Sequence, residues 1–445
     1  MSVKGKSAFF RQSGWMVIAT FAGGFFMALV HTVAGRMGRE EYSTFVTLLR
    51  VLIIMGIPSV ALQTIFARQA AAAIGPKQEQ QLIATVRAIA AGTFLVWLLT
   101  AIAVLAAGRP LCHLLKIRNP AALYLTLLVG LVGLCVPILK GLLQGQHRFG
   151  GLGWLQISDG IGRLTLMMVI VLVLGGKAAG AMFAVFAGQF FTASIGAVLT
   201  RSIWSTRPIV AFDWKEWLGG AVPLTIGLGT VVLMSSTDMV FVQGLFADAR
   251  QTALYGAAML TGYAMVQFIA PVALVMFARV VQSVARSERS DSLGMTLAAT
   301  SLFGCLAAVG ATLFPKLPLR LMYFSSPDMW HAAPLVPWFA WALLPLTVAN
   351  VLMQNILAQG RYRAVPWLAL VPAFYAAALC WQAPGLLEMK QFDAFIRVIQ
   401  TLGVASAALC GLAAWFSRGQ PPATASDRDS AAARAVSHTA SSPTE

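Results

Sequence analysis

Long apolar runs, separated by short polar segments, fill most of the sequence. A helix that crosses a bilayer needs roughly 20 predominantly apolar residues, and twelve runs approach or exceed that length. The runs are continuous and do not alternate between apolar and polar positions, so they favour helices over a β-barrel. The predicted spans are residues 13–34, 43–66, 88–107, 121–145, 153–175, 178–200, 217–244, 252–278, 293–314, 333–357, 364–382 and 394–416.

Two polar corners of similar sequence interrupt this pattern, "LLQGQHRFGG" at 142–151 and "ILAQGRYRAV" at 356–365. The segments "EYSTF" to "FARQA" and "ALYGA" to "FARVV" repeat at almost the same separation. The matched corner residues are Gln144 with Gln359, Gly145 with Gly360, and Arg148 with Arg363.

These repeats predict two six-helix units, residues 1–207 and 208–416. An even number of spans returns the chain to its starting side, so the units are expected to be related by a pseudo-two-fold axis along the membrane normal. Beyond them, residues 417–445 lack large apolar side chains, which predicts a disordered tail on the cytoplasmic side.

Each corner is interpreted as a cytoplasmic turn between the fourth and fifth helices of its unit. Glycine permits a tight reversal of the chain. Glutamine and arginine can bond helix-end carbonyls and anionic lipid head groups. A role in closing a cytoplasmic gate is the alternative interpretation.

Composition supports the membrane assignment, since 58% of residues are hydrophobic and 11% are charged, against about 25% charged in soluble domains. The net charge of +16 could suggest nucleic acid, but the basic residues are scattered over short loops. Their bias towards one side predicts cytoplasmic termini. The five cysteines form no CxxC or Cys/His pattern, so neither a disulfide framework nor a zinc site is expected. No other metal site and no cofactor are expected.

The chain resembles the multidrug/oligosaccharidyl-lipid/polysaccharide (MOP) flippase superfamily, and within it bacterial polysaccharide exporters such as O-antigen flippases. The resemblance covers about residues 10–416 and includes the corner "LLQGQHRF" and the segment "TDMVFVQGLFADARQTALYGAA". It implies an all-α, MATE-like fold with two six-helix lobes around a central cavity. It also implies transport of a lipid-linked oligosaccharide from the cytoplasmic to the outer leaflet by alternating access.

Charged residues inside predicted spans are costly, so each is a candidate site. In relatives that carry pyrophosphate-linked lipids, cations that face the cavity are implicated in holding the head group. This resemblance makes Arg50, Lys140 and Arg163 the substrate-binding candidates. Arg50 could instead form a structural pair, and Lys140 could extend its amine to the membrane interface.

Two acidic residues inside spans are the gating or ion-coupling candidates. Asp159 lies four residues before Arg163, so the two can neutralise each other on one helical face. Asp238 could pair with Arg50 to close an outer gate. Drug exporters of the superfamily use carboxylates in the first or seventh helix, and only the seventh has one here.

We therefore expect a flippase for an undecaprenyl-phosphate-linked glycan in the bacterial inner membrane. A cation-coupled exporter of small amphiphilic molecules is the alternative. An embedded glycosyl- or acyltransferase is disfavoured because no carboxylate cluster or long polar loop provides a catalytic surface. Expected partners are membrane lipids, a polysaccharide polymerase and its export machinery, with no nucleic acid. A monomer is the working expectation.

Overall fold

The protein is built from helices throughout the part that the computed structural model describes, residues 3–55, 57–114, 117, 119–246, 249–286, 292–323 and 327–418. The first helices are α1 (Val3–Ala34), α2 (Arg39–Met55), α3 (Ile57–Ala72), α4 (Pro76–Ala106), α5 (Gly108–Leu114), α6 (Pro120–Gly145), α7 (Phe149–Met167), α8 (Ala178–Leu199) and α9 (Arg201–Ser205). They are followed by α10 (Trp214–Met234), α11 (Thr237–Leu245), α12 (Ala249–Ala285), α13 (Ser292–Leu313), α14 (Lys316–Met322), α15 (Val336–Ala358), α16 (Val365–Glu388) and α17 (Gln391–Arg418).

Short helices of other types join some of these elements. Three are 3-10 helices, Gly35–Met37, Pro327–Leu335 and Tyr362–Ala364, and Met168–Val173 continues α7 as a π-helix. The predicted tail lies outside the described residues from position 419 onward, and the helix before it extends to Arg418.

Among the described residues, ten helical segments are long and apolar enough to cross a membrane. They correspond to ten of the twelve runs read from the sequence. The other two runs, 43–66 and 252–278, fall on α2 with α3 and on α12. The prediction of an all-α polytopic membrane protein is confirmed.

Large apolar side chains cover the outside of several helices. On α4 the exposed residues include Leu95, Val96, Leu99, Ile102 and Leu105. An exposed apolar surface of this extent would favour aggregation in water. In a bilayer it is the surface that contacts lipid tails, so the side-chain pattern agrees with the membrane assignment.

The chain divides into two compact units, Met1–Val232 with Met259–Ala278, and Leu233–Ala258 with Arg279–Glu445. In the first unit α1 packs along α7, α3 packs along α6, and α8 packs against both α6 and α7. In the second unit α15 packs against α13 and α17, and α16 packs against α17. The division into two six-helix units at residue 207 stays a prediction.

Glycines allow the closest helix contacts in the first unit. A Cβ atom on Gly23 of α1 would lie 2.6 Å from the carbonyl oxygen of Gln156 on α7. A Cβ on Gly160 would lie 2.6 Å from the carbonyl oxygen of Gly23. Both positions therefore need a residue without a side chain, since real Cβ atoms essentially never approach other atoms so closely.

The two polar corners differ in how the chain reverses. In the second corner Gly360 adopts a φ of 72°, as expected for a glycine in a tight turn. In the first corner His147 takes the left-handed conformation, with a φ of 58°. The predicted turn role of Gly145 is thus wrong: this residue ends α6, and a Cβ there would clash with Ala67 and Ala70 of α3.

We predict that Gly160→Ala destabilises the protein, whereas Gly24→Ala does not. An added methyl group at Gly160 has no space between α1 and α7, and overpacking costs about 1–3 kcal/mol. Gly24 is the matched control, because a Cβ at this position meets no atom within 4 Å. Thermal unfolding of both variants in detergent measures the difference. Equal melting temperatures for the two variants would contradict this packing.

Candidate functional site

Four of the five charged candidates have described side chains, and they fall in two groups. Lys140 on α6 lies with Asp159 and Arg163 on α7 in the first unit, and Asp238 on α11 lies in the second. Arg50 belongs to α2, but its side chain lies outside the described residues. The predicted Arg50–Asp238 pair therefore stays a prediction.

Asp159 and Arg163 form a bidentate ion pair along one face of α7. Arg163 donates from Nε to Asp159 Oδ1 at 2.9 Å and from Nη2 to Oδ2 at 3.1 Å. The side chains of Arg163 and Asp159 are only 12% and 17% exposed. The four-residue spacing thus produces the neutralising pair expected from the sequence, and the guanidinium directs one edge to the carboxylate.

Lys140 extends from α6 to the same face of α7. Its ammonium Nζ donates to Oε1 of Gln156 at 2.9 Å, and it lies within electrostatic range of Asp159 and Arg163. Two cations and one carboxylate carry a formal charge of +1 together. Since Gln156 is neutral, the cluster keeps a positive charge inside apolar helices, which suits an anionic partner.

Gln156 joins this cluster although the sequence interpretation did not select it. It is an uncharged polar residue in the apolar stretch "WLQISDG", three positions before Asp159. That spacing places both side chains on one helical face and could have indicated a shared role. Its backbone oxygen faces Gly23 of α1, so three helices meet at this residue.

Asp238 occupies an apolar environment in the second unit. The residue is 1% exposed, and its Oδ2 accepts a hydrogen bond of 2.8 Å from the Tyr255 hydroxyl. Its other oxygen, Oδ1, has no hydrogen-bond partner among the described residues. A buried carboxylate with one unpaired oxygen can bind a proton or another cation, because either would offset the cost of burying the charge.

Tyr255 is held in place by aromatic rings. Phe339 and Phe395 meet its ring edge-on or nearly so, with centroid distances of 5.1 and 5.2 Å. The repeat of "EYSTF" and "ALYGA" aligns Tyr42 with Tyr255. It did not indicate the contact between Tyr255 and Asp238. In the first unit the Tyr42 hydroxyl lies 3.5 Å from Nδ1 of His31, so both tyrosines approach an ionisable side chain.

The first corner is tied to neighbouring helices by its polar residues. Gln144 accepts a hydrogen bond from Gln63 of α3 at 3.1 Å and donates to the Leu274 carbonyl of α12 at 3.2 Å. Arg148 donates to the carbonyl of Leu199, where α8 ends. The expected bond between an arginine and a helix end is therefore present in this corner.

In the second corner an arginine also bonds the end of a helix, but it is Arg361, at a position not matched in the first corner. Gln359 donates to Asn355 Oδ1 at 3.3 Å. Arg361 donates to the Ser417 carbonyl near the end of α17 at 3.3 Å, whereas Arg363 is exposed. In this corner Arg361 makes the bond to a helix end, and the role predicted for Arg363 stays a prediction.

No group of three or more His, Cys, Asp or Glu side chains within the described ranges is arranged to hold a metal ion. The cysteines there are all free thiols.

Residues 41–283 match the sequence profile of a family described as "Polysaccharide biosynthesis protein". This region covers more than half of the chain. The chain belongs to this family. The matched region includes Lys140, Asp159, Arg163, Asp238 and Tyr255. No curated protein sequence matches the chain.

Solved structures of transporters share the fold of this protein. A mutant of the MATE transporter VcmN from Vibrio cholerae superposes with a TM-score of 0.75 at 12% identity, covering 93% of this chain and 96% of that chain. A MOP superfamily transporter from Pyrococcus furiosus gives 0.74 at 12% identity, with coverages of 93% and 95%.

The eukaryotic MATE transporter AtDTX14 gives a TM-score of 0.71 at 13% identity, with coverages of 92% and 98%. At such low identity the likeness shows the fold alone. Together with the family match, it confirms the MOP superfamily membership expected from the sequence, so the protein is a membrane transporter with a MATE-like fold.

We predict that Asp159→Ala destabilises the protein more than the double variant Asp159→Ala/Arg163→Ala. Removing one partner of this largely buried ion pair leaves an uncompensated charge, which costs up to roughly 3–5 kcal/mol where a pair is fully buried. Thermal unfolding in detergent for each single variant and the double variant gives the coupling between the two side chains. Exposed Arg201 serves as the control for loss of an arginine. Additive effects would argue against a stabilising pair.

Proposed function

We propose that the protein is a flippase that moves a lipid-linked oligosaccharide from the cytoplasmic to the outer leaflet of the bacterial inner membrane. Membership of a polysaccharide biosynthesis family and a MATE-like transporter fold support this proposal. The lipid carrier is proposed to be undecaprenyl phosphate or pyrophosphate. The glycan crosses by alternating access, and no covalent bond is made or broken.

The observation that carries the proposal is the positive charge held between α6 and α7. Asp159 neutralises Arg163, whereas the described partner of Lys140 is the neutral amide of Gln156. A cation inside apolar helices is costly unless another group compensates it. A phosphate that approaches Lys140 would do so, and it would also be within reach of the outer edge of the Arg163 guanidinium.

Arg50 is proposed to add a second positive charge along the path of the head group. It lies well inside the second predicted span, and no acidic residue is adjacent to it in the sequence. An arginine can bind a phosphate through two parallel hydrogen bonds, which a lysine cannot do. Phosphate binding would thus depend on the orientation of the planar Arg50 guanidinium more than on that of the Lys140 ammonium.

Asp238 is proposed to couple transport to the uptake of a cation. Its unpaired Oδ1 provides the binding position, and Tyr255 fixes the orientation of the carboxylate. This observation also favours the second candidate, a cation-coupled exporter of small amphiphilic molecules, which uses the same fold. The substrate therefore has to be tested separately from the coupling.

The proposed setting is the inner membrane with both termini in the cytoplasm, because basic residues are more frequent in the loops on that side. The lipid-linked glycan and membrane lipids are the immediate partners. A polysaccharide polymerase and its export machinery would act on the glycan after it crosses. A monomer satisfies this scheme, since the resemblance places a central cavity within one chain.

We predict that Lys140→Ala and Arg50→Ala each reduce transport of lipid-linked sugars in reconstituted vesicles by ~10-fold or more. Each loses a charged hydrogen bond to phosphate, typically worth about 1.5–3 kcal/mol. Arg50→Lys should recover part of the activity, because the charge remains. Lys177→Ala is the control, since this lysine is exposed between helices.

Protein abundance in the membrane must be measured alongside transport for each variant. Normal transport by both alanine variants would contradict a phosphate-binding role for these cations. Transport of an amphiphilic cationic dye by the wild type, without transport of lipid-linked sugars, would instead support the exporter.

We predict that Asp238→Asn removes the dependence of transport on an imposed pH or sodium gradient while the protein remains folded. The amide has the shape of the carboxylate but cannot carry its negative charge. Tyr255→Phe should leave the coupling present but weaker, because only the orienting hydroxyl is lost. Transport rates measured with each gradient separately identify the ion. Unchanged gradient dependence in Asp238→Asn would exclude this carboxylate.

A further inference from the structure

A cavity in the first unit is lined by none of the residues of the charged cluster. Its volume is about 280 Å³, and it is bounded by the end of α3, the start of α4 and the start of α10. This is slightly below the range of roughly 300–1,000 Å³ that is common for small-molecule pockets. It could therefore hold a group the size of one sugar ring but not a whole oligosaccharide.

Two polar atoms of the residues that line this cavity have no hydrogen-bond partner within the part of the chain that the structure describes. They are Oε1 of Gln69, which is an acceptor, and Nε1 of Trp217, which is a donor, and both are buried. A buried polar group without a partner costs about 1–3 kcal/mol, so such a pair calls for an explanation. Small rotations of these side chains would present one donor and one acceptor to a ligand.

The charge on the walls indicates a neutral ligand. Arg68 and Asp213 both line the cavity, so its formal charge sums to zero. A carboxylate on the wall disfavours a phosphate. The remaining polar side chains are uncharged and include Gln78, Gln81 and Thr85. Amides beside an aromatic surface match the hydroxyl groups and the apolar ring face of a sugar.

The wall formed by the chain before α10 is fixed to α4. Arg87 donates from Nη2 to the Trp204 carbonyl at 2.6 Å, and the Ile209 amide donates to Oε1 of Gln80 at 3.2 Å. The Phe212 ring packs near Trp217, with ring centroids 6.5 Å apart. These hydrogen bonds and the ring contact therefore hold the wall of the cavity in place.

We propose that this cavity binds one sugar unit of the lipid-linked glycan, an inference that rests on the proposed flippase function. The Trp217 indole N–H donates to a sugar oxygen, and the Gln69 carbonyl accepts from a sugar hydroxyl. In the predicted topology the α3–α4 turn and the start of α10 lie on the cytoplasmic side, where the glycan is loaded. The cavity selects the substrate by its sugar, whereas the cations of the charged cluster act on its phosphate.

The test compares two lipids on the full-length protein in lipid nanodiscs. One is undecaprenyl pyrophosphate, and the other is the lipid-linked glycan fraction extracted from cells that lack this protein and accumulate its substrate. Trp217→Phe keeps an aromatic ring but removes the N–H donor. It is expected to weaken binding of the glycan lipid by ~3-fold to 10-fold, in line with the loss of one hydrogen bond, and to leave undecaprenyl pyrophosphate binding unchanged.

Trp214→Phe is the matched control, because Trp214 is exposed and does not line the cavity. Gln69→Leu is the second cavity variant, which removes the acceptor with little change in size. Thermal unfolding of each variant verifies that it is folded. If either cavity variant is unfolded, the other decides the result, and Gln69→Met, an unbranched side chain of similar length without the amide, replaces both if needed.

Wild-type affinity for both lipids in cavity variants that are folded would overturn the sugar site. An equal loss of affinity for both lipids would also overturn it, because the effect would not depend on the sugar. If the wild-type protein neither prefers the glycan lipid nor transports it in vesicles, the flippase function itself fails. Transport by the wild type with unaltered glycan binding in the variants would reject the cavity alone.

Discussion

The cost of placing charge among apolar helices constrains the whole interior of this protein. Asp159 is compensated by Arg163 through two hydrogen bonds, and Lys140 is held by the amide of Gln156. Asp238 accepts a hydrogen bond from the Tyr255 hydroxyl, and its Oδ1 has no side-chain partner within the described residues. A cluster that keeps a net charge, or a carboxylate that keeps an open oxygen, has capacity left for a solute or an ion.

Close helix packing makes this compensation feasible. Lys140 and Gln156 lie on different helices, and their hydrogen bond requires α6 and α7 to stay in a fixed register. The glycine contacts between α1 and α7, and those of α6 with α3, bring backbones together without side chains between them. Packing of small residues is a major source of helix association in membranes, where lipid tails weaken the hydrophobic driving force. The polar site therefore depends on apolar positions that carry no charge.

The sequence predicted the helical membrane fold well because long apolar runs carry a strong signal. It also predicted the ion pair between Asp159 and Arg163, since their spacing alone sets their geometry. Contacts between distant helices were not accessible in this way. The pairing of Lys140 with Gln156, and that of Asp238 with Tyr255, depends on helix register and rotation, which hydrophobic periodicity does not determine.

Gln156 occupies an unusual position because its backbone oxygen and its side-chain oxygen contact different helices. Its backbone oxygen sits against Gly23 of α1, while its side-chain oxygen accepts from Lys140 of α6. A translation of α1 along α7 by one helical turn, ~5.4 Å, would replace Gly23 at this contact with a residue that has a side chain. The backbone of α7 would then have to retreat and carry the amide away from the ammonium. Through Gln156, sliding of α1 along α7 would therefore change the electrostatic environment of Lys140 on α6.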